Sequence, residues 1–102
     1  MPPKYSHFIS RFGDDDFEWD SHKSLVNLHD RDVAFTAAQI VFRGRLLRRP
    51  DSRANYGEAR WQVLGELHGR VVAIIYTQRG RKCRIISVRR ATPEETEIYY
   101  GG

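Results

Sequence analysis

The stretch EARWQVLGELHGRVVAIIYT, residues 58–77, decides the fold: two runs rich in β-branched and aromatic residues flank His68-Gly69. A two-residue turn with glycine second is the signature of a tight β-hairpin. With that loop, Leu67 opposes Arg70, Trp61 opposes Tyr76 and Arg60 opposes Thr77, which puts the aromatics and Arg60 on opposite faces. The following stretch RGRKCRIISVRRA, residues 79–91, turns over Arg79–Lys82 and returns as a strand through Arg84–Arg90. A short strand near 45–48 and a polar loop over 50–57 precede the pair, so the second half of the chain reads as a four-stranded antiparallel meander.

Upstream the period becomes helical. Tyr5, Phe8, Ile9 and Phe12 recur at the spacing of one helix face and predict a short docking helix within residues 1–16, an extension ahead of a domain over 17–102. Phe17-Glu18-Trp19 is extended, and Asp20 caps a helix running to about Leu28 or His29 with Leu25 and Leu28 inward. Thr36-Ala37-Ala38-Gln39 forms a capping box, with Phe35 and Ile40 as a hydrophobic staple, for a helix over 36–43 that Gly44 ends in the left-handed conformation. Pro93-Glu94-Glu95 opens a final short helix. The expected fold is α+β: two N-terminal helices, the four-stranded sheet and a short C-terminal helix, with the helices covering one sheet face.

Charge points to the partner. Between Glu66 and Glu94 the chain carries Arg70, Arg79, Arg81, Lys82, Arg84, Arg89 and Arg90 with no acid among them, while seven of the thirteen acids fall in the first 32 residues. Sequence neighbours cannot neutralise the basic half, and a phosphate backbone or acidic partner is the natural counter-charge. Fourteen of the seventeen cations are arginine, whose planar fork meets phosphate at two points. The single cysteine, Cys83, excludes an internal disulfide and a multi-cysteine zinc site and reads as a half-buried thiol. No apolar run approaches a membrane span and no leader pattern is visible, so a soluble, cytoplasmic protein with no membrane partner is expected.

Two blocks carry a family resemblance. The first is Phe17-Glu18-Trp19-Asp20 with Lys23 and Asn27, and the second is Tyr76-Thr77-x-Arg79-Gly80 leading to Arg84-Ile85-Ile86-Ser87-x-Arg89-Arg90-Ala91-Thr92. With Val33, Phe35, Ala38 and Phe42, then Glu58, Arg60 and Gly65, and finally Glu95 and Tyr99, the chain resembles the BrnT toxins over about residues 17–99. The resemblance implies a RelE-like fold and a ribonuclease toxin of a type II toxin–antitoxin system. It also implies a hetero-oligomer with a BrnA-type antitoxin carrying a ribbon-helix-helix domain, through which the complex binds promoter DNA and represses its own transcription. The family's Lys-His-Gly ahead of the second helix is replaced here by Asp30-Arg31-Asp32. A residue able to move protons is thereby exchanged for a permanent cation between two acids.

A metal-free ribonuclease of this kind uses the RNA 2′-hydroxyl as nucleophile, a base to take its proton, cations for the pentavalent phosphate and a donor for the leaving oxygen. Glu58 is the expected base, because Glu58-x-Arg60 puts acid and cation on one strand face. Arg60, Arg79, Arg84 and Arg89 are expected to hold the scissile phosphate, with Tyr76 as a proton donor or stacking ring. Lys23, Arg81, Lys82, Arg90 and Tyr99 are expected to bind RNA. His22, His29 and His68 read as surface residues, and neither a metal site nor a nucleotide cofactor is expected. Two other readings remain: a catalytically decayed toxin-fold subunit that binds the antitoxin as corepressor, favoured by Asp30-Arg31-Asp32, and a basic nucleic-acid-binding module, which ignores the two blocks.

Overall fold

A computed structural model of the chain describes residues 4–31, 33–53 and 56–101, apart from the side chains of Asp30 and Arg31. The substitution at Asp30-Arg31-Asp32 lies outside the described residues and side chains. The hairpin is built on strands β4 (Trp61–Leu67) and β5 (Arg70–Arg79), with Leu67 opposite Arg70 and Trp61 opposite Tyr76 as the turn required. His68 (φ 49°) and Gly69 (φ 82°) are both left-handed, the conformation in which a two-residue loop matches the strand twist. Strand β6 (Lys82–Arg90) returns from Arg79 across a turn with Gly80 at φ 59°, and β3 (Leu46–Pro50) lies antiparallel to β4 on its other side.

The sheet is larger than four strands. Strand β1 (Ser6–Phe8) pairs antiparallel with β3, and β2 (Phe17–Trp19) pairs in parallel with β6. The result is a six-stranded mixed sheet in the order β1-β3-β4-β5-β6-β2, where an antiparallel four-stranded meander was expected. The docking helix expected within residues 1–16 is not formed among its described residues. Tyr5 packs in one core cluster and Phe8 against the other, and Ile9 is 86% exposed, so their helical spacing was coincidental.

Helix α1 (Ser21–Arg31) begins where expected, with the Asp20 carboxylate accepting from the Lys23 N–H at 3.1 Å. It turns a polar face inward: Leu25 and Leu28 are exposed, while Asn27 Nδ2 donates to the carbonyls of Val33 and Val88 and Ser24 Oγ accepts from the Phe35 N–H. Hydrogen bonds to otherwise unpaired backbone groups here replace leucine packing. Helix α2 (Ala37–Val41) lacks the expected capping box. Thr36 is already helical without a side-chain cap, Gln39 donates instead to the Asp14 carbonyl, Ile40 is exposed, and Gly44 is not left-handed.

Two clusters sandwich the sheet. Val63, Val72, Ile74, Tyr76, Cys83, Ile85 and Val88 point to one face beneath Phe17, Phe35, Ala38, Val41 and Phe42. Helix α3 (Pro93–Gly101) covers part of the opposite face, seating Tyr99 on Leu47, Leu64, Val71 and Ala73. Helices therefore lie on both faces and not on one. Cys83 is fully rather than half buried, and desolvation pushes its thiol well above the ordinary range. Among the described residues no helix is long and apolar enough to cross a membrane.

Candidate active site

The part of the α3 face that the helix leaves uncovered is set out by register. Thr77 pairs with Arg84, Ile75 with Ser87 and with Gln62, and Ala73 with Arg89, so Arg84, Ser87, Arg89 and Gln62 project from this one face. Arg84 and Arg89 share it because Ile86 is an extra residue in β6: Ile85 opposes Tyr76, Ser87 opposes Ile75, and Ile86 opposes nothing. Such a bulge shifts the side-chain alternation by one and re-aims the rest of the strand.

At one end of the face the segment before β4 is pinned by two bonds, Asp51 N–H to the Arg60 carbonyl at 2.8 Å and Thr77 Oγ1 to the Ala59 carbonyl at 2.7 Å. That places Glu58 between two guanidiniums: Arg60 Nε lies 3.2 Å from Oε2 and Arg79 Nη2 lies 3.4 Å from Oε1. Tyr56 lays its ring against Arg60, 3.9 Å from the guanidinium carbon to the ring centre. Arg84 faces Glu18 of β2 at 3.9 Å, a loose pair at the limit of contact.

At the other end Arg89 grips Glu95 with both nitrogens, Nη1 to Oε1 at 2.6 Å and Nη2 to Oε2 at 2.9 Å. Glu95 also accepts from Gln62 Nε2 at 3.0 Å and from the Thr92 N–H at 2.9 Å, while its own N–H donates to Thr92 Oγ1 at 3.1 Å. Thr92 and Glu95 thus form the reciprocal cap of α3. The Arg89 hydrogen bond, followed by the Thr92 N–H and Gln62, holds the Glu95 carboxyl down to about 2 against the opposing effect of burial. Arg49 extends the chain by donating to Gln62 Oε1 through Nε and Nη2 at 3.2 and 3.1 Å.

Of the residues expected at the site, Glu58, Arg60 and Arg79 meet directly, and Arg84 and Arg89 share their sheet face, each cation held by a carboxylate. Tyr76 is elsewhere. Fully buried on the opposite face, its hydroxyl accepts from Arg48 Nη1 at 3.0 Å, and burial raises its pKa. Tyr99 is a core residue whose hydroxyl donates to the Arg45 carbonyl at 2.9 Å. Lys23 lines a separate groove with Asn27, Phe35 and Ile86, Lys82 Nζ donates to the Asp15 carbonyl at 2.7 Å, and Arg81 opens onto a groove beside Phe8. Arg90 opposes Val72 on the other face of β6.

The sequence reading missed Gln62 and Tyr56 as parts of this surface, and took Glu95 only as one of three last-helix acids able to pair with its arginines. Thr92-x-x-Glu95 is a capping box legible in the sequence, and it fixes the acid next to Arg89. Tyr56 could have been suspected from its place two residues before Glu58. Gln62 carries no such signal, since its role comes only from pairing with Ile75.

Compared with known proteins, residues 19–95 match the family model described as ribonuclease toxin, BrnT, of type II toxin-antitoxin system. No curated protein matches the chain.

Proposed function

Because the chain belongs to the BrnT family of ribonuclease toxins of type II toxin–antitoxin systems, we propose that it is an endoribonuclease whose active centre is the face carrying Glu58, Arg60, Arg79, Arg84 and Arg89. Glu58 accepts the proton of the RNA 2′-hydroxyl as that oxygen bonds to the neighbouring phosphorus. The bond to the 5′-oxygen breaks, leaving a 2′,3′-cyclic phosphate and a 5′-hydroxyl that takes its proton from water. The guanidiniums exchange their carboxylate partners for the non-bridging phosphate oxygens as charge develops there, so their contribution grows toward the transition state. No metal is needed for these roles. The Tyr56 ring is placed to stack a base beside the reacting phosphate.

The observation that supports this reading is the bulge at Ile86, which aligns Arg84 and Arg89 with the Glu58 cluster in a sheet where regular alternation would separate them. The fold is read as RelE-like. A BrnA-type antitoxin with a ribbon-helix-helix domain covers the basic face, neutralises the toxin in the cytoplasm, and carries the hetero-oligomer to promoter DNA for autorepression.

A second reading has its own support. All four arginines are engaged by carboxylates, and among the described residues no histidine joins the cluster: His7 lies on β1, His22 and His29 on α1, and His68 in the hairpin turn. On that reading the chain is a decayed toxin-fold subunit kept as the antitoxin's corepressor. Induced expression in bacteria, with and without the adjacent antitoxin gene, and a gel of purified protein against total RNA separate the two. Growth arrest relieved by the antitoxin, with RNA cut by the wild type and spared by Arg84→Ala, establishes the nuclease. Normal growth and intact RNA, with the antitoxin still bound, establish the corepressor.

A further inference from the structure

On the side of the sheet away from Glu58, the N-terminal segment and the β5–β6 turn enclose a groove of about 410 Å³, walled by Phe8, Arg11, Phe12, Arg48, Gln78 and Arg81. Five of the eight residues that line it, Phe8, Ile9, Arg11, Phe12 and Asp16, lie ahead of residues 19–95, the part of the chain that matches the family. Three guanidiniums face one acid among its described walls. That acid, Asp16, is already engaged by the Gly13 N–H at 2.8 Å.

The cations here differ from those of the candidate active site. Arg11 and Arg81 are exposed and have no ion-pair partner among the described residues, whereas Arg60, Arg79, Arg84 and Arg89 are each held by a glutamate. Arg48 is half-buried between the rings of Phe8 and Trp61, at 4.0 and 3.9 Å, and its only hydrogen-bond partner among the described residues is the neutral hydroxyl of Tyr76. A guanidinium withdrawn from water, stacked on rings and unmatched by a carboxylate is an incomplete anion site, with donors left over. The volume is in the range of small-ligand sites, and the lining of arginine with aromatic and aliphatic groups is that of surfaces that hold single-stranded nucleic acid by phosphate contact and base stacking.

Continuity with the active face comes through the turn. Arg79 pairs with Glu58 on one side of Gly80, and Arg81 on the other side lines the groove. We propose that the groove is a second RNA subsite, holding a nucleotide of the single strand that flanks the scissile phosphate and crosses the β5–β6 turn. The identity of the strand rests on the nuclease reading above. Arg11 and Arg81 meet its phosphates, Arg48 backs the site, and the exposed part of Phe8 and Ile9 meets the base.

The test uses the full chain and 2′-O-methyl oligonucleotides of four and ten residues, which bind without being cut, read by fluorescence anisotropy. The ten-residue strand is expected to bind at least roughly tenfold tighter than the four-residue strand, and Arg11→Glu with Arg81→Glu to abolish that advantage. With Arg11→Ala and Arg81→Ala the slope of log affinity against log salt should fall by about 1.4, close to 0.7 for each single-strand phosphate that is no longer neutralised. Equal binding of both lengths by the wild type, or an unchanged slope in the double variant, overturns the subsite. Unchanged RNA binding with loss of antitoxin capture overturns it too and gives the groove to the antitoxin. An inactive nuclease leaves this readout intact, and cleavage without a length effect removes the groove while keeping the nuclease.

Discussion

Arg84 and Arg89 stand five positions apart in β6 and still project from the same face of the sheet, because Ile86 is inserted between Ile85 opposite Tyr76 and Ser87 opposite Ile75. In an unbroken strand an odd separation sends two side chains to opposite faces. The extra residue lets β6 contribute Cys83, Ile85 and Val88 to one core cluster while Arg84 and Arg89 line the other side.

Deleting Ile86 should therefore leave a folded protein with both faces of β6 unchanged. With the extra residue gone, Ile85 opposite Tyr76 is followed directly by Ser87 opposite Ile75, so regular alternation keeps Cys83, Ile85 and Val88 in the core and Arg84 and Arg89 on the other face. Ile86→Val, which keeps the bulge, should cost under about 1 kcal/mol. Thermal melts by circular dichroism check both, and a deletion variant without a cooperative melt would count against the argument.

The Arg89–Glu95 pair sets an acid limit on stability. Glu95 titrates at about 2 in the folded protein against 4.5 in its absence, so its contribution is complete above the unfolded value and is lost as pH falls from about 4.5 toward 2. The difference corresponds to on the order of 3 kcal/mol, an upper figure since the Arg89 side chain is 34% exposed. Urea midpoints measured from pH 6 to pH 2.5 should fall steeply for the wild type. Glu95→Gln should start lower and show a shallower decline over the same interval.

Tyr76→Phe separates burial from catalysis. The hydroxyl serves Arg48 on the face opposite the candidate centre, so its removal should lower stability by about 1 kcal/mol and leave the rate of RNA cleavage within twofold of wild type. A hundredfold loss of rate in a folded Tyr76→Phe protein would return the residue to the reaction.

Gly65 is a packing constraint. A methyl group there would stand 2.4 Å from Val41 Cγ1 and 2.9 Å from Leu46 Cδ2, where α2 presses on β4. Gly65→Ala should cost about 1–3 kcal/mol and lower Tm by at least roughly 4 °C, with cleavage per folded molecule unchanged. Scanning calorimetry reads the first and a rate normalised to folded protein the second.

What was legible in the sequence tracks the range of the interactions. His68-Gly69 needs only its two flanking runs, and it returned the β4–β5 register from Leu67–Arg70 to Trp61–Tyr76, where the ladder ends short of the expected Arg60–Thr77 pair. Asp20 as a helix cap and Pro93 as a helix start are equally local, and both hold. Strand β2 could not be read as a sheet member, since three residues carry little periodicity and their partner lies 66 positions away, at Phe17 opposite Cys83. Local signals also misled where distant groups competed for them. Gln39 leaves its capping box for the Asp14 carbonyl, and Ser24 and Asn27 take the inward face of α1 because backbone groups of Phe35, Val33 and Val88 need partners. In the candidate site Glu58-x-Arg60 was read as one face of a strand, whereas β4 begins at Trp61 and the two residues pair in the segment ahead of it. The shared face of Arg84 and Arg89 depends on a bulge that no residue type in Ile85-Ile86-Ser87 announces.

The most direct measurement is the single-turnover rate of cleavage of an end-labelled RNA by wild type and Glu58→Gln, with the product termini identified. Glu58 as general base predicts a 2′,3′-cyclic phosphate from the wild type and a loss of rate of roughly 10²–10⁴-fold in a folded Glu58→Gln protein. Cleavage by Glu58→Gln at the wild-type rate, or products bearing 5′-phosphate, would contradict the assignment of the reaction to this face.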